Sequence, residues 1–212
     1  MHRLDTVKLK RMAEYAISGR VLDVGCSANP NPFLHDATGI DIAPPSVTPP
    51  SYREIVACNL NRDRMPFDDG SFSNVLAGDV IEHLENPSHF LRETNRVLAS
   101  GGRLVISTPQ ANDWWVTLHN WFFRRWINDP DRGEHLQNWT ILDMTRLLKK
   151  NGFKMVKVEG FVMKFPKIAL YIPVRHIPIL SWQVFYVAEK AGTPDTGVLA
   201  HVDGAWRTVE QA

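Results

Sequence analysis

The sequence predicts an α/β fold, a doubly wound and mostly parallel sheet of seven strands with helices on both faces. Three observations carry that prediction. Short apolar runs alternate with segments of helical periodicity, as strands and covering helices do in a wound parallel sheet. One such run, Val21-Leu22-Asp23-Val24, breaks into a loop of small residues, Gly25-Cys26-Ser27-Ala28-Asn29, closed by Pro30 and Pro32. The next run, Thr38-Gly39-Ile40-Asp41-Ile42, carries a carboxylate at its end.

Along the chain, residues 5–17 place Leu9, Met12, Ala13, Ala16 and Ile17 on one face of a helix that packs on the sheet. Strand one spans 20–24 and strand two 38–42. Only about a dozen residues part them, near the minimum for a parallel crossover, so the helix between them is short, around 33–35. A proline-rich loop, 43–51, leads to strand three at 54–57. Residues 65–72 form a turn with apolar anchors, and strand four covers 74–78. Asn86-Pro87 opens a helix, a capping residue followed by proline at the first helical position. Its inward face is Phe90, Leu91, Thr94, Val97 and Leu98. Gly101-Gly102 precedes strand five at 103–107, which Pro109 ends. Thr140 starts another helix with Ile141, Met144, Leu147 and Leu148 inward, stopped at Asn151-Gly152. Residues 153–159 and 181–189 are the last two strands. The expectation is one domain, 1–190, with insertions near 110–138 and 160–180 and a loose C-terminal tail, 191–212.

At 212 residues the chain suits one α/β domain and can bury a sizeable core. Its formal net charge of +1 supplies no basic field, so no nucleic-acid partner is expected. Two cysteines, Cys26 and Cys58, suggest no disulfide framework and point to a reducing, cytoplasmic setting. Residues 1–17 are charged and amphipathic, unlike a signal peptide, and no apolar run reaches the roughly 18 residues of a membrane span.

A tight loop after one strand and an acid after the next is how α/β sheets hold a ribose-bearing cofactor. A nicotinamide fingerprint needs glycine at the first, third and sixth loop positions, here Gly25, Ser27 and Pro30. Pro30 donates no N–H and fits poorly. The pattern Asp-x-Gly-x-Gly-x-Gly places Asp23, Gly25, Ser27 and Asn29, with two small or turn-tolerant substitutions.

With Asn59-Leu60-Asn61, Met65-Pro66-Phe67-Asp68-Asp69-Gly70-Ser71-Phe72, Gly78-Asp79-Val80-Ile81-Glu82-His83-Leu84 and Gly101 to Pro109 in register, the stretch 20–152 resembles the class I S-adenosylmethionine-dependent methyltransferases of the small-molecule type. The resemblance implies a Rossmann-like sheet. Asp23 and Gly25 would meet the methionine part of the donor and Asp41 its ribose hydroxyls. Asn59 would take the adenine amine and Leu60 stack on the ring, with Cys26, Ser27, Ile42 and Asp79 completing the donor-binding set. Ser27, Asn29 and Ser73 depart from the family's commoner residues. Cys26 reads as a small loop filler, since methylation of a hydroxyl needs no covalent enzyme intermediate.

Spacings of three and four place Asp79, Glu82 and His83 on one face if strand four runs straight into a helix. Two carboxylates and an imidazole converging at the sheet's carboxyl edge suit a divalent cation, Mg2+ or Mn2+, which would ease loss of a hydroxyl proton. The acid-x-x-Glu-His pattern is similar to the metal motif of the ubiquinone-pathway O-methyltransferases and of the small-RNA 2′-O-methyltransferases, with Asp79 one methylene short. His135 is the candidate later histidine, as ligand or general base. The expected catalytic residues are His83, His135 and Glu82, and the expected metal set is Asp79, Glu82, His83 and His135. A metal-free histidine base and a merely structural Glu-His pair stay open beside it, and His119 reads as structural.

Trp114, Trp115, Trp121, Trp126 and Trp139, with Phe122 and Phe123, come after strand five, where this fold commonly overhangs substrate. Flat aromatic faces suit sugar rings or planar phenols, and equally a packed lid or a homodimer contact. Arg124 and Arg125 read as a solvated pair. The reading is an O-methyltransferase for a small-molecule hydroxyl, leaning to a sugar, glycoside or oligosaccharide acceptor. Its rivals are a phenolic quinone-precursor O-methyltransferase and a cofactor-binding protein that has lost catalysis.

Overall fold

The computed structural model describes residues 3–112, 114–123, 135–165, 170–195, 197–202 and 205–209. Trp126, Arg124 and Arg125 lie outside these. The elements run α1 (Arg3–Tyr15), β1 (Val21–Val24), β2 (Ala37–Asp41), β3 (Tyr52–Ala57), β4 (Phe72–Gly78), α2 (Pro87–Val97), β5 (Leu98–Pro109), α3 (Trp114–Phe123), α4 (Ile141–Lys150), β6 (Phe153–Gly160), β7 (Val162–Phe165), β8 (Leu170–Pro173), β9 (Gln183–Lys190), β10 (Val198–Val202) and β11 (Ala205–Val209). Seven strands form the main sheet in the order β3-β2-β1-β4-β5-β9-β6. β9 is antiparallel to both neighbours, and the other pairings within the sheet are parallel. The β7–β8 hairpin returns the chain directly between β5 and β6, and a return without a helical crossover enters antiparallel.

The period of two along each strand divides the core. Val75, Ala77, Leu104, Ile106, Val184 and Tyr186 pack with Phe90 and Leu91 of α2 and Met144 and Leu148 of α4. Leu76, Val105, Phe185 and Val187 point the other way, onto Met12 of α1 and onto Phe161 and Val162. Helices therefore cover both faces, as the apolar runs predict. The expected caps hold: Asn86 accepts from the His89 N–H ahead of Pro87, and Thr140 from the Asp143 N–H.

Four local expectations change. No helix forms at 33–35; Asn31 precedes Pro32, which disfavours helical backbone, and its side chain captures the Phe33 N–H at 3.0 Å. β4 leads not into an α-helix but into a single 3-10 turn, Ile81–His83. β5 starts at Leu98, five residues early, because Leu98 pairs with Phe72 across a bulge. The stretch expected as a loose tail carries the antiparallel β10–β11 ribbon.

Strand order reverses at β1, whose neighbours are β2 and β4. Loops at the carboxyl ends of two such strands diverge to opposite faces and leave a crevice there. At the opposite, amino end of the sheet, the segment after α1 is tied by Asn74 of β4, fully buried, whose amide bonds the Ile17 N–H and C=O at 2.7 Å each. Asn74→Ala orphans both backbone groups and is expected to cost about 2 kcal/mol of stability. Urea denaturation measures this; an unchanged midpoint would contradict the assigned tie.

Candidate active site

The crevice is built from backbone upward. The Gly25 N–H donates to the Ile40 carbonyl at 2.8 Å, binding the loop after β1 to the end of β2. The Asp41 carboxylate then accepts from the Ser27 N–H at 2.9 Å and from the Ala43 N–H at 3.1 Å, holding both loops. Gly25 is left-handed at φ +69°, and a Cβ there would stand 2.5 Å from Val80 Cγ2. Only glycine gives the chain that path beside Val80.

A cleft of about 280 Å³ opens over these loops, lined by Gly25, Asp41, Ile42, Cys58, Asn59, Leu60, Asn61, Asp79, Val80, His83 and Leu84. Of the sequence-predicted donor residues, Gly25, Asp41, Ile42, Asn59, Leu60 and Asp79 face it. Asp23, Cys26 and Ser27 do not line it. Asp23 is buried, accepts a hydrogen bond from the Tyr52 hydroxyl, and burial pushes its carboxyl up to about 7. Burial beside Asp23 and Asp41 pushes the Cys26 thiol up to about 12, which removes it as a nucleophile. The floor at 59–61 is braced by Asn61, whose side-chain oxygen accepts from the Glu85 and Asn86 N–H groups at 2.8 and 3.2 Å.

Asp79 follows β4 in the left-handed region at φ 55°. Its carboxylate is ion-paired with Lys8 of α1 and accepts from Ser107 of β5 and Gln183 of β9. Glu82 points elsewhere. It is 1% exposed, and one oxygen accepts from the Thr108 hydroxyl at 2.9 Å while the other, also buried, has no hydrogen-bond partner among the described residues. Burial, then the nearby Asp79, pushes its carboxyl up to about 8. The Glu82 carbonyl accepts from the N–H groups of Leu136 and Gln137, at 2.8 and 3.0 Å, and so pins the end of the first insertion over the turn. His135 is thereby brought to His83, the rings edge to face with centroids 4.9 Å apart. One ligand atom from each of Glu82, His83 and His135 lies within 4.8 Å of the others. Asp79 does not join that group; its backbone turns left-handed where a helix would have aligned it with Glu82.

In the segment after β5, Trp114 packs on Phe165 at 4.7 Å, and Trp121 and Phe122 of α3 are exposed. The Trp139 indole N–H is buried without a hydrogen-bond partner among the described residues, at the Gln110–Trp139 bridge that follows β5. The side chains of His119 and Phe123 lie outside the described residues.

A sheet of this order, with one antiparallel strand second from the edge, is the fold shared with solved S-adenosylmethionine-dependent methyltransferases. The chain matches the family model described as a methyltransferase domain over residues 4–158, and it belongs to that family. It is similar to a protein of Mycobacterium tuberculosis called a "probable S-adenosylmethionine-dependent methyltransferase", 30% identical over 109 residues, covering 51% of this chain and 36% of the relative. It is also similar to the demethylmenaquinone methyltransferase of Chlorobaculum tepidum, 28% identical over 156 residues, covering 65% of this chain and 63% of the relative. The chain thus spans less than two thirds of either relative. Its fold resembles the 1,6-didemethyltoxoflavin-N1-methyltransferase of Burkholderia thailandensis solved with 1,6-didemethyltoxoflavin and S-adenosylhomocysteine, with a TM-score of 0.58 at 18% identity, covering 89% and 77% of the two chains.

Sequence reasoning missed Lys8, Asn61, Ser107 and Gln183. Lys8 had a signal: it lies one helical turn before Met12, on the inward face. Gln183 is 104 residues from Asp79 and had none.

Gly25→Ala forces its Cβ onto Val80 in a disfavoured backbone region. S-adenosylhomocysteine affinity is then expected to fall about tenfold or more, read by calorimetry, with the fold retained by circular dichroism. The raised Glu82 carboxyl means the native state holds that proton more tightly than the unfolded chain. Its contribution is complete below the unfolded carboxyl value of 4.5 and is lost as pH rises through about 8. In chelator, wild-type stability is therefore expected to fall relative to Glu82→Gln across that window in urea denaturation. A difference that stays flat with pH would contradict the assignment.

Proposed function

We propose that the protein transfers a methyl group from S-adenosylmethionine to a hydroxyl of a small molecule, with the His83–His135 pair as the proton acceptor. The observation that carries this reading is the two imidazoles set edge to face over the buried Glu82, His83 itself lining the cleft that holds Asp41 and Leu60. The donor supplies an electrophilic methyl on a sulfonium. An acceptor oxygen forms the new C–O bond as the C–S pair returns to sulfur, and the hydroxyl proton passes to imidazole. Asp41, Asn59 and Leu60 hold the ribose and adenine in this reading, leaving the methyl end toward Asp79 and His83.

A metal-assisted form of the same reaction rests on the unpartnered Glu82 oxygen. One carboxylate and two imidazoles fit a first-row transition ion such as Mn2+ better than Mg2+, which prefers oxygen donors. Glu82, His83 and His135 would hold it, and it would supply a lower pKa to a bound hydroxyl. The exposed faces of Trp121 and Phe122 suit a sugar ring or a planar phenol as acceptor. Among the described residues no helix is long and apolar enough to cross a membrane.

The test is methyl transfer from labelled donor to sugars, glycosides and catechols, in chelator and with Mn2+ restored. His83→Asn and His135→Asn are expected to lower kcat by about a hundredfold, with activity kept in chelator. Loss on chelation and return with Mn2+ would replace the free histidine base by the metal form. Turnover confined to amine acceptors would overturn O-methylation.

A further inference from the structure

Asp79 presents a carboxylate to the wall of the donor cleft, its side chain 30% exposed. Behind that wall stands Lys8, whose side chain is only 10% exposed and whose ammonium is ion-paired with that carboxylate. Ser107 and Gln183 complete the contacts, and the Asp79 N–H donates to the Ser107 carbonyl at 2.8 Å. The other carboxylate of the cleft, Asp41, is met by two backbone N–H groups instead. The chain thus places a nearly buried cation, from a helix outside the sheet, against one wall charge of the cleft. Burying an ammonium is costly, and this one sets the charge at the cleft wall as well as joining α1 to the end of β4.

The donor and its demethylated product differ in one charge. S-adenosylmethionine carries a sulfonium, S-adenosylhomocysteine a neutral thioether, and apart from the methyl the two molecules are the same. A fixed charge on the cleft wall therefore acts on the ratio of their affinities. We infer that Lys8 sets the discrimination between donor and demethylated product, by neutralising Asp79 at the cleft wall. An uncompensated Asp79 would hold the sulfonium ground state more tightly than the transition state, in which that positive charge is dispersing, and would slow the transfer. With Lys8 in place the cleft binds the two molecules on nearly equal electrostatic terms. Lys8 touches neither molecule; it is a positioning and charge-setting residue. The inference rests on the donor reading above.

Calorimetric titration with each molecule tests it in wild type, Lys8→Met, Asp79→Asn and the double variant. For charges several ångströms apart in a partly wet cleft, Lys8→Met is expected to shift the affinity ratio toward S-adenosylmethionine by about fivefold or more. Asp79→Asn leaves the cation alone and is expected to shift it the opposite way. The double variant, which holds no unpaired charge, is expected to return to the wild-type ratio and is the reading to use where Lys8→Met fails to fold. Equal losses for both molecules, or ratios within about twofold across the variants, would overturn the inference and leave the pair a strut between α1 and β4. No heat with either molecule in wild type would overturn the donor reading itself.

Discussion

The ion pair between Lys8 and Asp79 joins α1 to the end of β4, and Ser107 and Gln183 bring β5 and β9 to the same carboxylate. Asp79 accepts a left-handed backbone to reach them. Aspartate tolerates that region better than most residues, and the contacts offset the roughly 1–2 kcal/mol that it costs. The rest of the site depends on that turn. It redirects the chain into the single turn 81–83, sends Glu82 inward to Thr108, and leaves His83 at the cleft. With Gly25 against Val80 and Asp41 bracing two loops, both sides of the strand-order reversal are fixed before any ligand arrives.

The charges of the site divide by environment. Asp41 and Asp79 are satisfied by N–H groups and an ammonium. Glu82, in apolar surroundings, is pushed toward its neutral form. Cys26 is held as a thiol by burial and by the carboxylates of Asp23 and Asp41. The imidazoles of His83 and His135 are the exposed groups, and proton transfer to solvent is open to them.

The central strands were legible because each is an apolar run whose two faces are largely covered, and the helices opened by Asn86-Pro87 and Thr140 were legible because their caps are local. Gly25 and Asp41 pointed to a donor loop only together with the later motifs in register, because Ser27 and Asn29 depart from the pattern. What could not be read depended on contacts between distant parts of the chain or on backbone sign. Nothing near residue 79 announces a left-handed aspartate, so Asp79 was grouped with Glu82 and His83 as one helical face. His135 does lie beside His83, although the carbonyl of Glu82 that draws it there carries no side-chain signature. The missing helix at 33–35 turns on Asn31, whose side chain takes the N–H that a helix would have used.

The most direct test is a crystal structure with S-adenosylhomocysteine bound. The nucleoside is expected between Asp41, Asn59 and Leu60, the amino-acid end beside Gly25, and sulfur facing Asp79 and His83. Ligand density outside this cleft, or a nucleoside that makes no contact with Asp41, would contradict the donor site and the chemistry built on it.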